Sequence, residues 1–389
     1  MAARAMRRVL QFARDPTGRT KSASFYRTRR EGDNAPEGPT RNDPTPIVEA
    51  MAFTTATAEA TPRDAPQMGF EAIFDLVADD FARLNELIPK QLSSGVEMVE
   101  EIGHYIVEGG GKRLRPLIVL LTARACSYTG TDHIRLATII EFLHTATLLH
   151  DDVVDNSSRR RGRATANALW GNAPSVLVGD FLYSRGFQLM VDLDSMDIMA
   201  IISDATNLIA EGEVMQLANI GRTSMTESEY LEVVRRKTAM LFQAAAHTGA
   251  VLCSDDPDLI AALRRYGLHF GMAYQLVDDW LDYVGDGDVM GKNPGDDLAE
   301  GKVTLPLIHT MTNGHGNQPA VVRRAIDTRS AVDFHNVAHA VHRSGGLAYT
   351  KNRALEEAYL ASEEILALPP SRYRDALEAL AMVAVSRMA

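Results

Sequence analysis

Two aspartate clusters with the same spacing, Asp151-Asp152-x-x-Asp155 and Asp278-Asp279-x-x-Asp282, are the residues best equipped to do chemistry in this chain. At about 100° per residue, Asp151 and Asp155 fall one turn apart on one face of a helix, where two carboxylates can share one cluster of hard cations. His144, seven residues earlier, sits on nearly the same face and adds a hydrogen-bonding or cationic group to the same wall. A solvated acidic helix end is the bland explanation of one such motif. Carboxylates at a helix C-terminus, however, face the negative end of the macrodipole and gain little there without a cation. In the second cluster Gln275 and Asp282 are again seven apart, which puts an amide and a carboxylate on or near the side that carries Asp278 and Asp279. The repeated spacing makes coincidence the poorer explanation.

Basic segments follow both clusters. Arg159, Arg160, Arg161 and Arg163 surround Gly162 just after Asp155, and a turn-rich stretch with Gly291, Lys292, Asp296, Asp297 and Lys302 follows Asp282. Read alone, each is a solvated charge run or an ordinary surface loop. Beside oxygen-ligand metal sites they gain meaning, because arginine forks bind diphosphate oxygens bidentately while Mg2+ neutralises the others. The combination describes a cleft for a Mg2+-chelated polyphosphate. Neither Gly-x-Ser-x-Gly, nor a Walker-type glycine-rich lysine loop, nor His-Glu-x-x-His is present, so covalent hydrolysis, nucleotide-loop chemistry and zinc peptidase chemistry lose support.

The elements that must hold these groups are helices. From Met68 onward apolar residues recur at three- and four-residue spacing, as in Phe70, Ile73, Phe74, Val77, Phe81, Leu84 and Ile88, and alternating strand patterns are scarce. Breaks at Gly109-Gly110-Gly111, Asn172-Ala173-Pro174 and Gly291 to Pro294 separate long apolar-periodic segments. The expected fold is therefore an all-α, single-domain helical bundle. The stretch from His133 to Asp155 is apolar on most sides and is expected to be a helix buried at its centre.

Composition bounds the rest. The chain has 389 residues, 46% of them hydrophobic and 23% charged, enough for a sizeable core. A formal net charge of -11 argues against general nucleic-acid binding, which needs a Lys/Arg excess. With Cys126 and Cys253 as the two cysteines there is neither a disulfide framework nor a thiolate cluster for zinc, so any metal must be held by oxygen. No apolar run is long enough for a transmembrane segment. Residues 1–67, rich in Arg, Pro, Thr, Ala and Gly, read as a disordered N-terminal extension, and 68–389 as the folded domain. Arg4, Arg7, Arg8, Arg14, Arg19, Arg27, Arg29 and Arg30 against Asp15 resemble a transit peptide. A start at Met51 or Met68 is preferred, with a bacterial cytoplasmic setting expected and a mitochondrial one as the alternative.

Over most of 68–389 the chain closely resembles the trans-isoprenyl diphosphate synthases, especially the bacterial octaprenyl-type and other long-chain enzymes. The segments that carry the resemblance are Gly110-Gly111-Lys112-Arg113-Leu114-Arg115-Pro116, Leu149 to Asp155 with Arg160-Arg161-Gly162, Gly179-Asp180-Phe181-Leu182, Gly212-Glu213, Lys237-Thr238, Gln275 to Asp282, and Gly291-Lys292. The resemblance implies an orthogonal bundle around a central cavity and a Mg2+-dependent condensation of an allylic diphosphate with isopentenyl diphosphate. It implies a catalytic set of Asp151, Asp152, Asp155, Asp278, Asp279, Asp282, Lys237, Thr238 and Gln275. Asp151, Asp155 and Asp278 would hold three Mg2+ ions. Arg160, Lys237, Thr238, Gln275, Lys292 and Lys302 would meet the allylic diphosphate, and Lys112, Arg115, His144 and Arg161 the isopentenyl diphosphate. Small residues at Ala146 and Thr147, one turn before Asp151, imply an open tunnel and a product of about C40, because an aromatic ring there would fill the space of an isoprene unit. A homodimer and a role in quinone side-chain supply are further implications.

A terpene cyclase would be expected to carry Asn/Asp-x-x-Ser/Thr-x-x-x-Glu in place of the second cluster and would not need Lys112 and Arg115. A silent partner subunit should have lost one aspartate motif, and a plain helical scaffold leaves both unexplained.

Overall fold

The computed structural model describes residues 68–284, 294–329 and 333–388. The expected extension over 1–67 and the site residue Lys292 lie outside the described residues. The described ones belong to one compact unit, within 61–389.

The apolar spacing that begins at Phe70 yields α1 (Phe70–Asp75) and α2 (Ala78–Leu92), which bury Ile73, Phe81, Leu84, Ile88 and Leu92. After α3 (Glu97–Glu108) come α4 (Leu114–Ala125) and α5 (Asp132–Val154). These two are apolar nearly all round and accordingly lie at the centre, with Leu117 to Leu121 and Ile139, Ile140 and Phe142 wholly inaccessible. A two-residue hairpin, β1 (Arg159–Arg160) paired antiparallel with β2 (Arg163–Ala164), contains the only strands among the described residues. Then follow α6 (Ala166–Trp170), α7 (Asn172–Val191), α8 (Met196–Ala218), α9 (Glu227–Val234), a π-helical turn at Arg235–Ala239 and α10 (Met240–Val251).

The 28-residue α11 (Pro257–Val284) joins two cores. Its first half puts Leu263, Tyr266 and Phe270 into the core built on α2, α4, α5, α7, α8 and α10. Its second half puts Ala273, Leu276, Val277 and Leu281 into another, shared with α9, α13 (Leu305–Asn313), α14 (Gln318–Thr328), α15 (Phe334–Arg343) and α16 (Gly346–Glu364). The short α12 (Asp296–Ala299) precedes α13, and α17 (Arg372–Ser386) closes the described chain. None of the described helices is long and apolar enough to cross a membrane. Cys126 and Cys253 are unbridged.

One buried ion pair ties α2 to α4 and α5. Arg124 donates from Nε to Asp80 Oδ2 at 2.7 Å, and His133 Nε2 stands 3.2 Å from Asp80 Oδ1. Burial would raise the Asp80 carboxyl, but the hydrogen bonds and charges of His133 and Arg124 outweigh it and hold the group well below its usual range. With the folded-state value below the unfolded one of about 3.9, the pair stabilises the fold above about pH 4 and loses that contribution as pH falls through the folded-state value. Asp80→Asn is therefore expected to cost about 3 kcal/mol at pH 7. Urea unfolding at pH 7 and pH 3 checks it: the deficit should shrink in acid, and an equal deficit at both pH values contradicts the assignment.

Candidate active site

One face of α5 forms a wall of a central cavity of about 800 Å³, lined by Glu141, His144, Thr147, Leu148, Asp151 and Asp155. Across it α11 contributes Tyr274, Gln275 and Asp278, and the 294–302 segment contributes Asp297, Glu300 and Lys302. The aspartate motifs thus meet because two buried helices from different parts of the chain pack around one space. Burial pushes the Asp151 carboxyl up and Asp155 adds to this, against the pull of Lys237, Arg160 and Lys302. Lys302 donates to Asp155 Oδ2 at 3.3 Å and also pairs with Glu300. Burial alone would lower its ammonium, but Asp297, Asp155 and Glu300 hold it above its ordinary range.

The six aspartates do not share one task. Asp152 is 2% exposed, does not line the central cavity, and accepts Arg160 Nε at 2.9 Å, so it positions that arginine. Asp282 is equally buried and off the cavity lining; its Oδ1 accepts the Gly295 N–H at 3.2 Å and anchors the returning 294–302 segment. The resemblance implies a catalytic role for both; a helix turns by about 100° per residue, so Asp152 leaves the face of Asp151 and Asp155, whereas Asp282, one turn after Asp278, is engaged by the Gly295 N–H. Asp279 borders a space of about 210 Å³ that Asp151, Asp155, Asp278 and Lys237 also line. There Gln275 donates to its Oδ1 at 2.7 Å, Tyr230 donates to its Oδ2, and Thr238 donates to Gln275 Oε1 at 2.8 Å. Burial, with Asp297 nearby, raises its carboxyl to about 8 against those hydrogen bonds.

Lys237 and Thr238 stand on the π-helical turn, a widened helical segment of a kind frequent at functional sites. Lys237 donates to Glu213 Oε2 and Gln216 Oε1, both at 2.6 Å. The approach of this turn to α8 requires Gly212, since a Cβ there would lie 2.6 Å from the Lys237 backbone nitrogen.

At the other end of the cavity a second group of cations collects. Arg115 lies with Cζ 4.0 Å from the Phe242 ring centre and Nη1 3.2 Å from His144 Nε2. Phe242 is itself fixed edge-on to Phe270, 5.1 Å between centres. Burial, then the charges of Arg115, Arg161 and Arg160, push His144 well below its ordinary value. It is a neutral acceptor for Arg115, which decides between the two roles the sequence left open. The β1–β2 turn places Arg161 and Gly162 at φ 51° and 75°, the left-handed pair that a two-residue hairpin loop requires. The Arg161 guanidinium lies against Gly111, where a Cβ would stand 2.4 Å from its Nη1. This contact packs the Lys112 loop onto the hairpin. Partial burial and then Arg387 lower the Lys112 ammonium, against Asp278.

Several cavity residues were not named from sequence. Tyr230 and Phe242 look like core positions there, and Arg387 lies far along the chain, yet it lines the cavity with Cζ 5.7 Å from the Tyr274 ring centre. Glu141 is different: an acid on an otherwise apolar helix, one turn before His144, is a signal that was readable. For the tunnel, Thr147 lines the cavity, whereas Ala146 is fully buried in the core.

An oxygen-only donor set facing a polar cavity fits Mg2+. Among the described residues no three acidic or histidine side chains are already gathered as a metal cluster. That also fits an ion which takes one or two carboxylates from protein and the rest from water and substrate phosphates.

Comparison with known proteins shows what the chain is similar to. A family profile described as polyprenyl synthetase matches residues 96–343. Octaprenyl diphosphate synthase of Escherichia coli is 49% identical over 82% of this chain and 99% of its own length. The geranyl-diphosphate-specific all-trans-nonaprenyl-diphosphate synthase of Rhodobacter capsulatus is 48% identical over 80% and 96%. A crystal structure of polyprenyl synthase from Caulobacter crescentus, complexed with calcium and isoprenyl diphosphate, superposes with a TM-score of 0.80 at 42% identity, covering 84% of this chain and all of that one.

Proposed function

Since the chain belongs to the polyprenyl synthetase family, we propose a division of its central cavity into an allylic-diphosphate subsite on the aspartate side and an isopentenyl-diphosphate subsite on the arginine side. The enzyme is a prenyltransferase, a long-chain polyprenyl diphosphate synthase that condenses an allylic diphosphate with isopentenyl diphosphate. What supports the division is the lining of one cavity by Asp151, Asp155 and Asp278 together with Lys112, Arg115 and Arg161.

In this reading Asp151, Asp155 and Asp278 would hold Mg2+, with three ions expected when substrate is bound, and Arg160, Lys237 and Lys302 would meet the same diphosphate. When bound, the ions neutralise charge that develops on the leaving diphosphate. Glu213 and Gln216 hold the Lys237 ammonium at the cavity wall. Thr238, Gln275, Asp279 and Tyr230 form one hydrogen-bonded chain that keeps the wall of the reacting centre polar and fixed. Lys112, Arg115 and Arg161 hold the second diphosphate and so orient the attacking alkene, while neutral His144 keeps the Arg115 fork in place.

The decisive experiment is incubation of purified protein with farnesyl diphosphate, radiolabelled isopentenyl diphosphate and Mg2+, with and without chelator. A chelator-sensitive ladder ending near C40 is expected; no incorporation with any allylic primer would overturn the reading.

We also propose that position 147 meters the tunnel more directly than 146. Thr147→Phe is expected to end the ladder about two or more isoprene units early, because a ring takes the volume of roughly one unit and blocks what lies beyond. Ala146→Phe, inside the packed core, is expected to cost melting temperature as well. Product sizing by reversed-phase chromatography checks both, and an unchanged ladder in Thr147→Phe removes the proposal.

Val176 and Leu177 on α7, with Met196, Val214 and Leu217 on α8, are apolar and exposed. Exposed apolar side chains on these two helices support a homodimer that covers them. Light scattering that returns the mass of a single chain overturns it.

A further inference from the structure

We propose that Glu141 is the internal counter-anion of the isopentenyl-diphosphate arginines, a positioning residue that competes with bound diphosphate and lets the lengthened product leave that subsite. The proposal rests on the division of the cavity made above and adds to it the means by which the second subsite empties.

Glu141 stands on α5 one turn before His144 and lines the central cavity beside Lys112, Arg113, Arg115 and Arg161. It also borders the small chamber behind the β1–β2 hairpin, which it shares with Arg160, Arg161 and Arg163. Its side chain is 13% exposed, with Oε1 3.7 Å from Arg113 Nε. Its Oε2 is buried without a hydrogen-bond partner, and so is the Nε of Arg115. Burial raises its carboxyl while Arg113, Arg115 and Arg161 pull it down, which marks all three as its electrostatic neighbours. A site built only to hold a diphosphate has no use for a carboxylate among its guanidinium groups, since like charges repel.

The chemistry supplies the use. In each condensation the new C–C bond joins the allylic carbon to the alkene terminus, the allylic diphosphate departs with the C–O electron pair, and that released diphosphate takes up the proton lost from the isopentenyl unit. The product therefore carries the diphosphate that arrived with isopentenyl diphosphate. For the next addition that group must leave the arginine subsite and be seated among the aspartates. Unopposed cations would retain it. A carboxylate already in their midst weakens their grip on a diphosphate, and once the diphosphate has gone its charge, 3.7 Å from Arg113, offsets theirs.

The test is Glu141→Gln, which keeps shape and removes charge. Inorganic diphosphate binding, measured by calorimetry without Mg2+, is expected to tighten roughly three- to tenfold. KM for isopentenyl diphosphate should fall with it, kcat should fall, and the product ladder should stall at short intermediates. A purely structural role gives the opposite sign, a raised KM and weaker diphosphate binding, and that result, like unchanged affinity, overturns the proposal. Glu141→Asp, which keeps the charge, must retain wild-type diphosphate affinity and the full ladder; tightened binding there overturns it too, even if the Gln variant fails to fold. A wild type that binds diphosphate but makes no product overturns the functional reading instead, which the calorimetry keeps separate.

Discussion

Asp151→Asn and Asp278→Asn are each expected to lower turnover by about a thousandfold while leaving helical content and melting temperature near wild type. The two residues face one cavity from α5 and α11. An asparagine keeps their size and removes the charge that a hard cation needs. The Asp151 carboxyl is already destabilised by burial and by Asp155, so the fold gains nothing from its charge, and neutralising it should not unfold the protein. A loss of activity with no loss of stability is the expected signature of a metal ligand. Single-turnover rates at saturating Mg2+, with circular dichroism alongside, are the measurement; activity within tenfold of wild type in either variant removes that residue from the metal set. Asp152→Asn is the informative contrast. It should act through Arg160, which Asp152 holds at 2.9 Å, and so should raise KM for the allylic substrate more than it lowers kcat.

Arg115→Met is expected to raise KM for isopentenyl diphosphate by about a hundredfold, with a much smaller change in kcat and none in KM for the allylic substrate. The guanidinium is inserted between the Phe242 ring and His144, where burial lowers it to about 10 and it remains fully charged at neutral pH. Methionine fills the same space over the ring, so the loss isolates the charge-assisted contacts. Steady-state kinetics with each substrate varied in turn reads the split. An equal rise in both KM values contradicts the assignment of Arg115 to the second subsite.

Much of this was legible because the informative signals are local. Residue type and spacing place Asp151 with Asp155, a helix apolar on all sides has to be central, and acids on such a helix need a cation. The Arg161-Gly162 and Gly212 segments entered through the resemblance; the structure shows the positive-φ turn and the close approach that need those residues.

What spacing does not carry is direction in space. The two motifs share one written pattern, yet packing turns Asp152 toward Arg160 and Asp282 toward Gly295, leaving Asp151, Asp155 and Asp278 on the cavity. Protonation is decided the same way. The sequence admits a cationic or a neutral His144, and burial first, then the arginines gathered around it from the segments at 115 and 161, push it well below its ordinary value. Tyr230 donates to an aspartate 49 positions away, and Arg387 reaches Tyr274 from the far end of the chain. From sequence alone this protein was determined as an all-helical bundle with a cleft for a cation-chelated polyphosphate, since composition and short-range periodicity decide element type and which ligand atoms are on offer, while the resemblance implied the condensation chemistry. Which carboxylates face the cavity, which cations they restrain and where Glu141 sits among the arginines were decided by tertiary packing, because those relations depend on how helices distant in the chain are rotated against one another.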